Sequence, residues 1–392
     1  MIMKENKGGS ASMTVLTVLV GIPASGKSAV ARELIEATNS IWIQGDRSHH
    51  ATSGEQDVRT NSGDLVFRKL QDQLRTAMQS GRNIVLDAKL RTPTYRKPYL
   101  ELARKHGYAT EAIFLNDPLE TALANNEKLR EQGELSLSEE QLRRAERLLQ
   151  IPTYAEGFDK IKVRTKEPID EEAAAFFHAH KARLIKEPCK LIRELEADGR
   201  LEKWLPELHN AIPVDQHNPH HHFTVYEHII KASETVAGSS LKMVWTMLLH
   251  DIGKAYPGIK QFLGVVTTPF GRWQAKDRVL IDNGADIREG RDLGDFYSVQ
   301  GEKIPKAHIK TDLNGHFYDH ENLGAQLSYR ILTRFGYSHD FALNVATLIQ
   351  FHMLMPRDIV TVELAQLRKF YAKTGPYAAD LMLVRLADTR GK

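Results

Sequence analysis

The stretch Gly21-Ile-Pro-Ala-Ser-Gly-Lys-Ser28 decides the fold of the first part of the chain. It follows the apolar run Thr14–Val20 and opens a helical pattern that continues to Thr38. In this strand–loop–helix context, glycines let backbone N–H groups turn inward onto phosphate oxygens, and the helix N-terminus adds positive potential. The sequence therefore predicts a cradle for nucleotide phosphates, because a glycine-rich turn that matches by chance would not need the flanking strand and helix.

The spacing of this motif suggests a role for each of its polar side chains. Lys27 is expected to reach the β- and γ-phosphates and Ser28 to hold Mg²⁺. Gly21, Ser25 and Gly26 complete the predicted nucleotide-binding loop. The implied cofactor is ATP, or another nucleoside triphosphate, with Mg²⁺.

Short apolar runs alternate with amphipathic stretches from residue 14 to about residue 167. Candidate strands are Val15–Val20, Ile41–Ile43, Ile84–Leu86, Glu111–Leu115 and Ile161–Val163. Helical patterns begin near Lys27, Asp64, Thr94, Pro118 and Ser138. Such alternation is typical of an α/β domain, a parallel sheet wrapped by helices. Residues 1–13 lack this pattern and are expected to form a flexible leader.

Two carboxylates follow candidate strands. Asp46 comes just after the second strand, and Asp87 ends the third. Ligands of open α/β sheets bind outside the carboxyl ends of the strands. Asp46 could there accept a proton from an acceptor hydroxyl, and Asp87 could support Mg²⁺ or substrate. For each, the alternative is a strand-end turn residue without a catalytic role.

A charged segment, residues 124–144, follows the fourth candidate strand. Its cations, on two helical stretches separated at Gly133, are Lys128, Arg130, Arg143 and Arg144. They could form a lid that brings positive charge onto the transferring phosphoryl group. A solvated helix face is the competing interpretation.

Together these residues resemble the P-loop kinase module of polynucleotide 5′-kinases, over residues 14–166. The resemblance implies Asp46 as the general base, Asp87 in the nucleotide site and Arg130 in the lid. Three positions depart from the family pattern. Where the family has the Arg that binds the acceptor phosphate, this chain has His49. The family's Asp-Thr-Asn corresponds to Asp87-Ala-Lys89 here. Arg130 lies one position after the place of the family's lid arginine. The resemblance therefore implies phosphoryl transfer and leaves the acceptor open.

The charge of the residues that follow the third candidate strand is relevant to the identity of the phosphate acceptor. Residues 81–110 hold seven Lys or Arg against two acids, a local net charge of +5, with Tyr95 and Tyr99 among them. A basic stretch with aromatic residues suits a nucleic-acid backbone. A solvated helix with buried tyrosines would have the same composition.

The overall composition excludes several classes of protein. The 392 residues, at roughly 150 per domain, suggest two to three globular domains. The lone Cys189 excludes an intrachain disulfide and a Cys-rich zinc module, which favours a reducing, cytoplasmic compartment. The longest apolar stretch, near Val15 to Ile22, is far below the roughly 20 residues of a membrane span. A net charge of +3 does not by itself indicate a nucleic-acid partner.

The second part of the chain has helical periodicity and little strand signal. Helices are predicted over Glu171–Lys186, Val225–Ala237 and Leu241–His250, and again from Glu321 to the end. We expect a helical linker over 168–199 and an all-α domain over 200–392. Residues 255–313 are expected to form an insertion, rich in turn signals, that shapes a phosphoester pocket.

A histidine–aspartate pair is the main chemical feature of this part. It lies in Leu248-Leu-His-Asp-Ile-Gly-Lys254 and comprises His250 and Asp251. The further candidate ligands, in chain order, are His228, His320, His352 and Asp388. Imidazole and carboxylate together suit one or two divalent Mn, Ni, Co, Fe or Zn ions. A lone histidine is more often a satisfied core or surface residue, and that interpretation suits His178, His180 and His209.

This order of residues resembles the HD phosphohydrolases, over residues 200–392. Residues 217–228 and 315–325 are similar to the HD domain of bacterial CCA-adding enzymes. The resemblance implies that Asp251 bridges two metals and that Lys254 contacts the substrate phosphate. The first metal would bind His228, His250, Asp251 and Asp388, and the second Asp251, His320 and His352. His316 is an alternative to His320, and His221 is a further candidate for positioning substrate.

The two resemblances together imply a bifunctional enzyme that heals nucleic-acid ends. A kinase and a phosphatase would oppose each other on one phosphate but serve opposite ends of a broken strand. The known pairing of a polynucleotide kinase with an HD phosphohydrolase is similar, although there the HD module comes first. The enzyme would phosphorylate a 5′-OH and remove a 2′,3′-cyclic, 2′- or 3′-phosphate from RNA or DNA. RNA is favoured because its cleavage produces such ends.

Two alternatives stay open. The kinase half could act on a nucleoside, a nucleotide or a modified DNA base, with the HD half as a nucleotidase. The HD half could instead be a docking domain without catalytic activity. A separate ligase is an expected partner of end healing, no membrane partner is expected, and the oligomeric state is left open.

Overall fold

The computed structural model describes residues 14–45, 61–134, 136–216, 222–268, 271–279, 286–287, 290–291, 296–299, 302–305, 310–311, 314–354 and 362–391. For residues 61–66 and for those of the residues just named that fall within 261–314, it describes the backbone only. The chain divides into two compact units, Met1–Lys166 and Glu167–Lys392.

The first unit contains a parallel sheet, as predicted. Its strands are β1 (Val15–Val20), β2 (Ile41–Gln44), β3 (Ile84–Asp87), β4 (Ala109–Leu115) and β5 (Lys160–Arg164). Their order is β2-β3-β1-β4-β5, and each neighbouring pair is parallel. The described helices around it are α1 (Lys27–Thr38), α2 (Asn61–Gln79), α3 (Pro93–Lys105), α4 (Leu119–Glu131) and α5 (Glu139–Arg147).

The central strand β1 is buried along its length. Leu16, Val18, Leu19 and Val20 are each at most 1% exposed, which explains the nearly continuous apolar run. Leu19 belongs to a cluster that joins α1 to the sheet, with Val30, Ala31, Val85, Ile113 and Leu115. This packing places the loop between β1 and α1 at the carboxyl edge of the sheet.

One cation of the predicted basic stretch lies in the core. Arg96, on α3, is fully buried and makes a two-pronged ion pair with Glu156, with both N–O distances at 2.7 Å. Its guanidinium also donates to the carbonyls of Leu90, Gln150 and Ile151. Tyr99 is only 3% exposed. Residues 81–110 therefore offer less basic surface than their composition suggests.

The second unit is built mainly of helices. In chain order they are α6 (Glu171–Ala179), α7 (Lys181–Lys186), α8 (Pro188–Ala197), α9 (Arg200–Trp204), α10 (Pro206–His209), α11 (Val225–Glu234), α12 (Leu241–Leu249), α13 (His320–Arg334), α14 (His339–Phe351), α15 (Leu364–Thr374) and α16 (Ala378–Arg390). The single helix predicted over Glu171–Lys186 is wrong. The chain breaks at His180, whose ring stacks on Phe176 at 4.2 Å and whose Nδ1 bonds the Phe176 carbonyl.

The segment 168–199 is part of this unit rather than a separate linker. Phe177, on α6, is fully buried and packs against Trp245 of α12 and Phe335, with ring centroids 5.1 and 4.7 Å apart. Aromatic rings of this size contribute a large share of the apolar area that a helical core buries.

The described parts of the insertion form strands that the all-α prediction did not include, while the rest of the second unit is helical as predicted. Strand β6 (Gln261–Thr268) pairs antiparallel with β7 (Gly271–Val279), β12 (Lys310–Thr311) and β13 (Asn314–His316). Two small hairpins join β8 (Asp286–Ile287) to β9 (Gly290–Arg291) and β10 (Phe296–Val299) to β11 (Glu302–Pro305). The β-branched run Val265-Val-Thr-Thr268 favours strand, but the surrounding turn residues obscure its periodicity.

We expect Arg96→Ala to destabilise the first unit strongly. Removing the guanidinium leaves the Glu156 carboxylate, which is 8% exposed, and three carbonyls without their partner. Breaking a buried pair in this way costs about 3–5 kcal/mol. Lys97→Ala is the matched control, since Lys97 is exposed and its ion pair with Glu101 is a surface pair worth about 0–1 kcal/mol. Equal effects of the two substitutions in chemical denaturation would contradict a structural role for Arg96.

Candidate active sites

The phosphate-cradle loop connects β1 to α1. Gly26 caps α1 with a left-handed backbone, φ +94°, a conformation that favours glycine. Ala24 is also left-handed, at φ +58°. The Lys27 ammonium donates to the carbonyls of Gly21 and Ile22 at 3.0 and 2.7 Å. The loop backbone thus curls around the ammonium at the N-terminal end of a helix, the arrangement that binds phosphates.

Ser28 and Asp87 meet at this loop. The Ser28 hydroxyl donates to Oδ2 of Asp87 at 2.9 Å, although the two residues lie 59 positions apart. Burial lowers the pKa of Lys27, and the negative charge of Asp87 partly opposes that shift. A hydroxyl and a carboxylate side by side are ligands that suit Mg²⁺. The structure therefore brings together the three side chains to which sequence analysis assigned the nucleotide and its metal.

The predicted general base lies outside the described residues. This applies to Asp46 and to His49. The described chain reaches Gly45, whose N–H donates to the Asp87 carbonyl at 2.8 Å. Strand β2 thus ends beside Asp87, and the role of Asp46 stays a prediction.

The predicted lid forms two helices, α4 and α5, with a left-handed Gly133 between them. Arg130 pairs with Glu127 on the exposed surface of α4, and Arg143 pairs with Glu139 on α5. Asn125 is the residue of α4 that touches the cradle, through a 2.9 Å hydrogen bond to the Ala24 carbonyl. Sequence analysis assigned Asn125 no role, because the charged side chains around it were the candidates for the lid.

The six candidate metal ligands of the second unit converge in its interior. His228, His250, Asp251 and Asp388 each offer a ligand atom, and these atoms lie within 4.8 Å of one another. Nε2 of His228 is 3.2 Å from Nε2 of His250, Oδ2 of Asp251 and Oδ1 of Asp388. We call these four residues the first ligand set.

The second ligand set is Asp251, His320 and His352. Oδ1 of Asp251 lies 3.2 Å from Nε2 of His320 and 3.6 Å from Nε2 of His352. The two imidazole Nε2 atoms are 3.2 Å apart. The Asp251 carboxylate therefore belongs to both sets, one oxygen to each.

The four imidazoles are oriented by backbone carbonyls. Their Nδ1 atoms bond the carbonyls of Gly391, Met247, Phe317 and Ile349 at 2.6–3.1 Å. Because a carbonyl only accepts, each Nδ1 carries the proton, and each Nε2 points a lone pair or a second proton into the cluster. Facing lone pairs 3.2 Å apart repel each other, and a divalent cation between them removes that repulsion. Nδ1 bonded to a carbonyl with Nε2 directed inward is the usual arrangement of a metal-binding histidine.

The protonation of the first set follows from its burial. Burial alone lowers the pKa of His228, but Asp251 and Asp388 outweigh this effect and raise it to about 9. Burial lowers the pKa of His250 to about 4. At neutral pH His228 therefore carries a second proton, next to two carboxylates whose pKa values lie below the usual range because their cationic neighbours outweigh the effect of burial.

Close helix packing holds the cluster together. The 3₁₀ turn Ile252–Ala255 follows Asp251 and lies against the start of α13. A Cβ on Gly253 would come within 2.1 Å of the His320 carbonyl, so only glycine fits there. Arg385 on α16 donates to Oδ2 of Asp388 at 2.9 Å and leaves Oδ1 for the cluster. Arg385 and the Gly391 carbonyl are positioning groups that sequence analysis missed, since neither has a distinctive motif.

Lys254 lies at the edge of the cluster. Its ammonium is 2.7 Å from Oδ2 of Asp251 and 3.0 Å from Oε1 of Gln216, which is almost fully buried. The buried amide of Gln216 in turn donates to the Phe223 carbonyl. Lys254 is thus held beside the candidate ligands, and its predicted contact with a substrate phosphate stays a prediction.

Three other histidines that the sequence analysis named, His178, His180 and His316, lie outside both ligand sets. His316, the alternative to His320, stacks on Tyr318 and is in neither ligand set. His178 bonds the Phe335 carbonyl, and His180 bonds that of Phe176. His221 lies outside the described residues, as do parts of the insertion 255–313.

A family model described as an AAA domain matches residues 16–152. The matched region contains the phosphate cradle and strands β1 to β4 of the parallel sheet. The first unit is therefore a domain with a parallel sheet that carries a P-loop between β1 and α1. Within the described residues, no helix has the length and apolar character that a membrane span requires.

Solved structures and curated proteins are similar to parts of the chain. A gluconokinase from Sinorhizobium meliloti 1021 is 19% identical and covers 39% of this chain and 83% of its own, with a TM-score of 0.29. The PezAT toxin–antitoxin system of Streptococcus pneumoniae is 14% identical over 41% of this chain and 72% of its own, with a TM-score of 0.28. The bifunctional uridylyltransferase/uridylyl-removing enzyme of Cereibacter sphaeroides is 27% identical over 148 residues. That match covers 29% of this chain but only 16% of the relative's length.

We expect Asp251→Asn to weaken metal binding in both ligand sets at once. The amide keeps the size of the carboxylate but loses the charge that faces all four imidazoles. Equilibrium dialysis against Mn²⁺ should give two ions per chain for the wild type and at least about tenfold weaker binding for the variant. His209→Ala, a histidine outside both sets, should bind as the wild type does. Unchanged Mn²⁺ binding by Asp251→Asn would contradict the bridging role.

Metal binding should release protons at neutral pH. The pKa of His228 is about 9, so without metal its imidazole is protonated at pH 7 and must lose a proton to become a ligand. Mn²⁺ affinity should therefore rise from pH 7 to pH 9, by up to about tenfold per pH unit for each proton released. Titration calorimetry in two buffers of different ionisation enthalpy would detect the protons. Equal affinities at pH 7 and pH 9 would contradict the release of a proton from His228 on metal binding.

Proposed function

We propose that this chain is a bifunctional nucleic-acid end-healing enzyme. Its first unit would transfer the γ-phosphate of ATP to a 5′-OH end. Its second unit would remove a 2′,3′-cyclic, 2′- or 3′-phosphate from the other end. RNA is the favoured polymer, DNA is the alternative, and a separate ligase would complete the repair.

The observation that carries the proposal is the cluster around Asp251. Six buried candidate ligands converge there, with the Lys254 ammonium beside them, and a docking domain has no need of such a set. Divalent ions bound there would activate a water and offset charge on a phosphoester. The four carbonyl-bound imidazoles would keep their orientation, and Lys254 would neutralise phosphate oxygens. The name of the Cereibacter sphaeroides relative, which includes a uridylyl-removing activity, accords with such a hydrolysis.

In the first unit, binding and proton transfer would be divided among three groups. The cradle and Lys27 would bind the β- and γ-phosphates, and Ser28 with Asp87 would hold Mg²⁺. Asp46 would accept the proton of the attacking 5′-hydroxyl. Asn125 would hold α4 against the cradle, while Arg130 would approach the phosphates only after α4 moves.

The main alternative is a kinase and a nucleotidase for small molecules. The burial of Arg96 and Tyr99 favours it, because those side chains cannot contact a nucleic-acid backbone. The remaining cations of residues 81–110 leave enough positive charge for a short strand end, so we retain the end-healing proposal.

An RNA oligonucleotide with a 5′-OH and a 2′,3′-cyclic phosphate would test both activities in one reaction. It is incubated with protein, ATP, Mg²⁺ and Mn²⁺ or Ni²⁺, and both ends are followed by mass. We expect the wild type to add one phosphate at the 5′ end and to convert the cyclic end. Lys27→Ala should lose only the 5′ addition, and Asp251→Ala only the 3′ conversion, so each variant is the control for the other.

The opposite outcome is equally clear. If neither end of the RNA changes while free nucleosides or nucleotides are turned over, the small-molecule alternative is correct. If one substitution abolishes both activities, the two sites are not independent.

A further inference from the structure

A buried glutamine is the neutral partner of Lys254. Gln216 is 1% exposed, and its Oε1 accepts a hydrogen bond from the Lys254 ammonium at 3.0 Å. Its Nε2 donates to the Phe223 carbonyl at 3.2 Å. Because a carbonyl can only accept, this second bond fixes which end of the amide faces the lysine. Gln216 therefore presents its acceptor oxygen to the ammonium in one defined orientation.

The backbone just before this glutamine is bonded to the start of α11. The Val214 carbonyl accepts from the N–H of Val225 at 2.9 Å, and the Ala211 carbonyl accepts from the N–H of Tyr226 at 3.2 Å. The same helix carries His228, a member of the first ligand set. The glutamine is thus held in a fixed position relative to a helix that supplies a candidate metal ligand.

Lys254 also has a charged partner. Its ammonium lies 2.7 Å from Oδ2 of Asp251, the carboxylate that belongs to both ligand sets. Divalent ions bound by this carboxylate would compensate its negative charge, so its attraction for the ammonium would weaken. The hydrogen bond to Gln216 does not depend on that charge and would persist. An amide oxygen also holds an ammonium without cancelling its positive charge.

We propose that Gln216 is a positioning residue that keeps the Lys254 ammonium beside the Asp251 cluster as a positive charge for the substrate phosphate. This inference rests on the proposed function of the cluster. It identifies a neutral hydrogen bond, from Lys254 to a buried amide, as a determinant of how tightly the second unit binds a phosphoester. Gln216 acts through Lys254 and has no direct contact with the substrate in this proposal.

Two substitutions of similar size test the hydrogen bond and the charge. Gln216→Met removes the acceptor, and Gln216→Glu keeps an acceptor but places a negative charge beside the ammonium. The measured quantities are kcat and KM for the removal of a 3′-phosphate from an RNA oligonucleotide by Mn²⁺-loaded protein. Each substitution should raise KM about tenfold, with a smaller change in kcat, because the ammonium is displaced in one variant and neutralised in the other.

A double-mutant cycle shows whether the effect passes through the lysine. In the Lys254→Ala background, Gln216→Met should change KM by less than about twofold, because the group that it positions is already absent. Gln326→Met is the matched control, since Gln326 is also a buried glutamine whose amide donates to a backbone carbonyl, that of Asn322. It should leave KM unchanged. A tenfold rise in the Lys254→Ala background, or an equal rise in Gln326→Met, overturns the proposal.

Failure of the proposed hydrolysis would be recognised separately. If the wild type does not hydrolyse the oligonucleotide, binding of inorganic phosphate to Mn²⁺-loaded protein is measured by equilibrium dialysis. Both Gln216 variants should bind phosphate about tenfold more weakly than the wild type and still bind Mn²⁺ as the wild type does. Phosphate binding that is absent in the wild type or unchanged in both variants overturns the proposal. Loss of Mn²⁺ binding in both variants also overturns it, because Gln216 would then support the fold of the cluster.

Discussion

The second unit depends on one buried carboxylate that must satisfy two groups of partners. Oδ2 of Asp251 faces His228 and Lys254, and Oδ1 faces His320 and His352. A buried charge without such partners would cost several kcal/mol. The helices that supply those partners must therefore pack closely around the end of α12. Because Gly253 has no side chain, the His320 carbonyl at the start of α13 can lie directly against it.

In the first unit, a buried charge is stabilised by backbone carbonyls rather than by imidazoles. The Lys27 ammonium donates to carbonyls of the loop that leads into the N-terminus of α1. The Ser28 hydroxyl donates to the carboxylate of Asp87, which lies at the end of β3. In both units, several of these groups lie where a helix begins or ends, such as Lys27 at the start of α1 and His250 at the end of α12. Rigid elements fix such positions, while the terminal N–H and C=O groups stay available for a ligand or a side chain.

Short-range signals predicted the parallel sheet of the first unit, and they singled out Lys27, Ser28 and Asp87 and the six side chains that the structure brings together around Asp251. The cradle, the alternating strands and the His-Asp pair are contiguous patterns, so they can be recognised in the sequence. The structure added pairings that connect distant residues. Arg96 meets Glu156 sixty positions away, and Asn125 meets Ala24 over 101 positions. No local pattern distinguishes Arg96 from a surface arginine, and the β-branched strands of the insertion were hidden by the turn residues between them.

Anomalous X-ray diffraction from crystals of the full chain grown with Mn²⁺ would test the account most directly. The account predicts two manganese peaks on either side of the Asp251 carboxylate. One should lie among His228, His250 and Asp388, and the other between His320 and His352. Density in which Asp251 contacts no metal, with manganese bound elsewhere on the second unit, would contradict the account, because a cation-free cluster could not activate water for phosphoester hydrolysis.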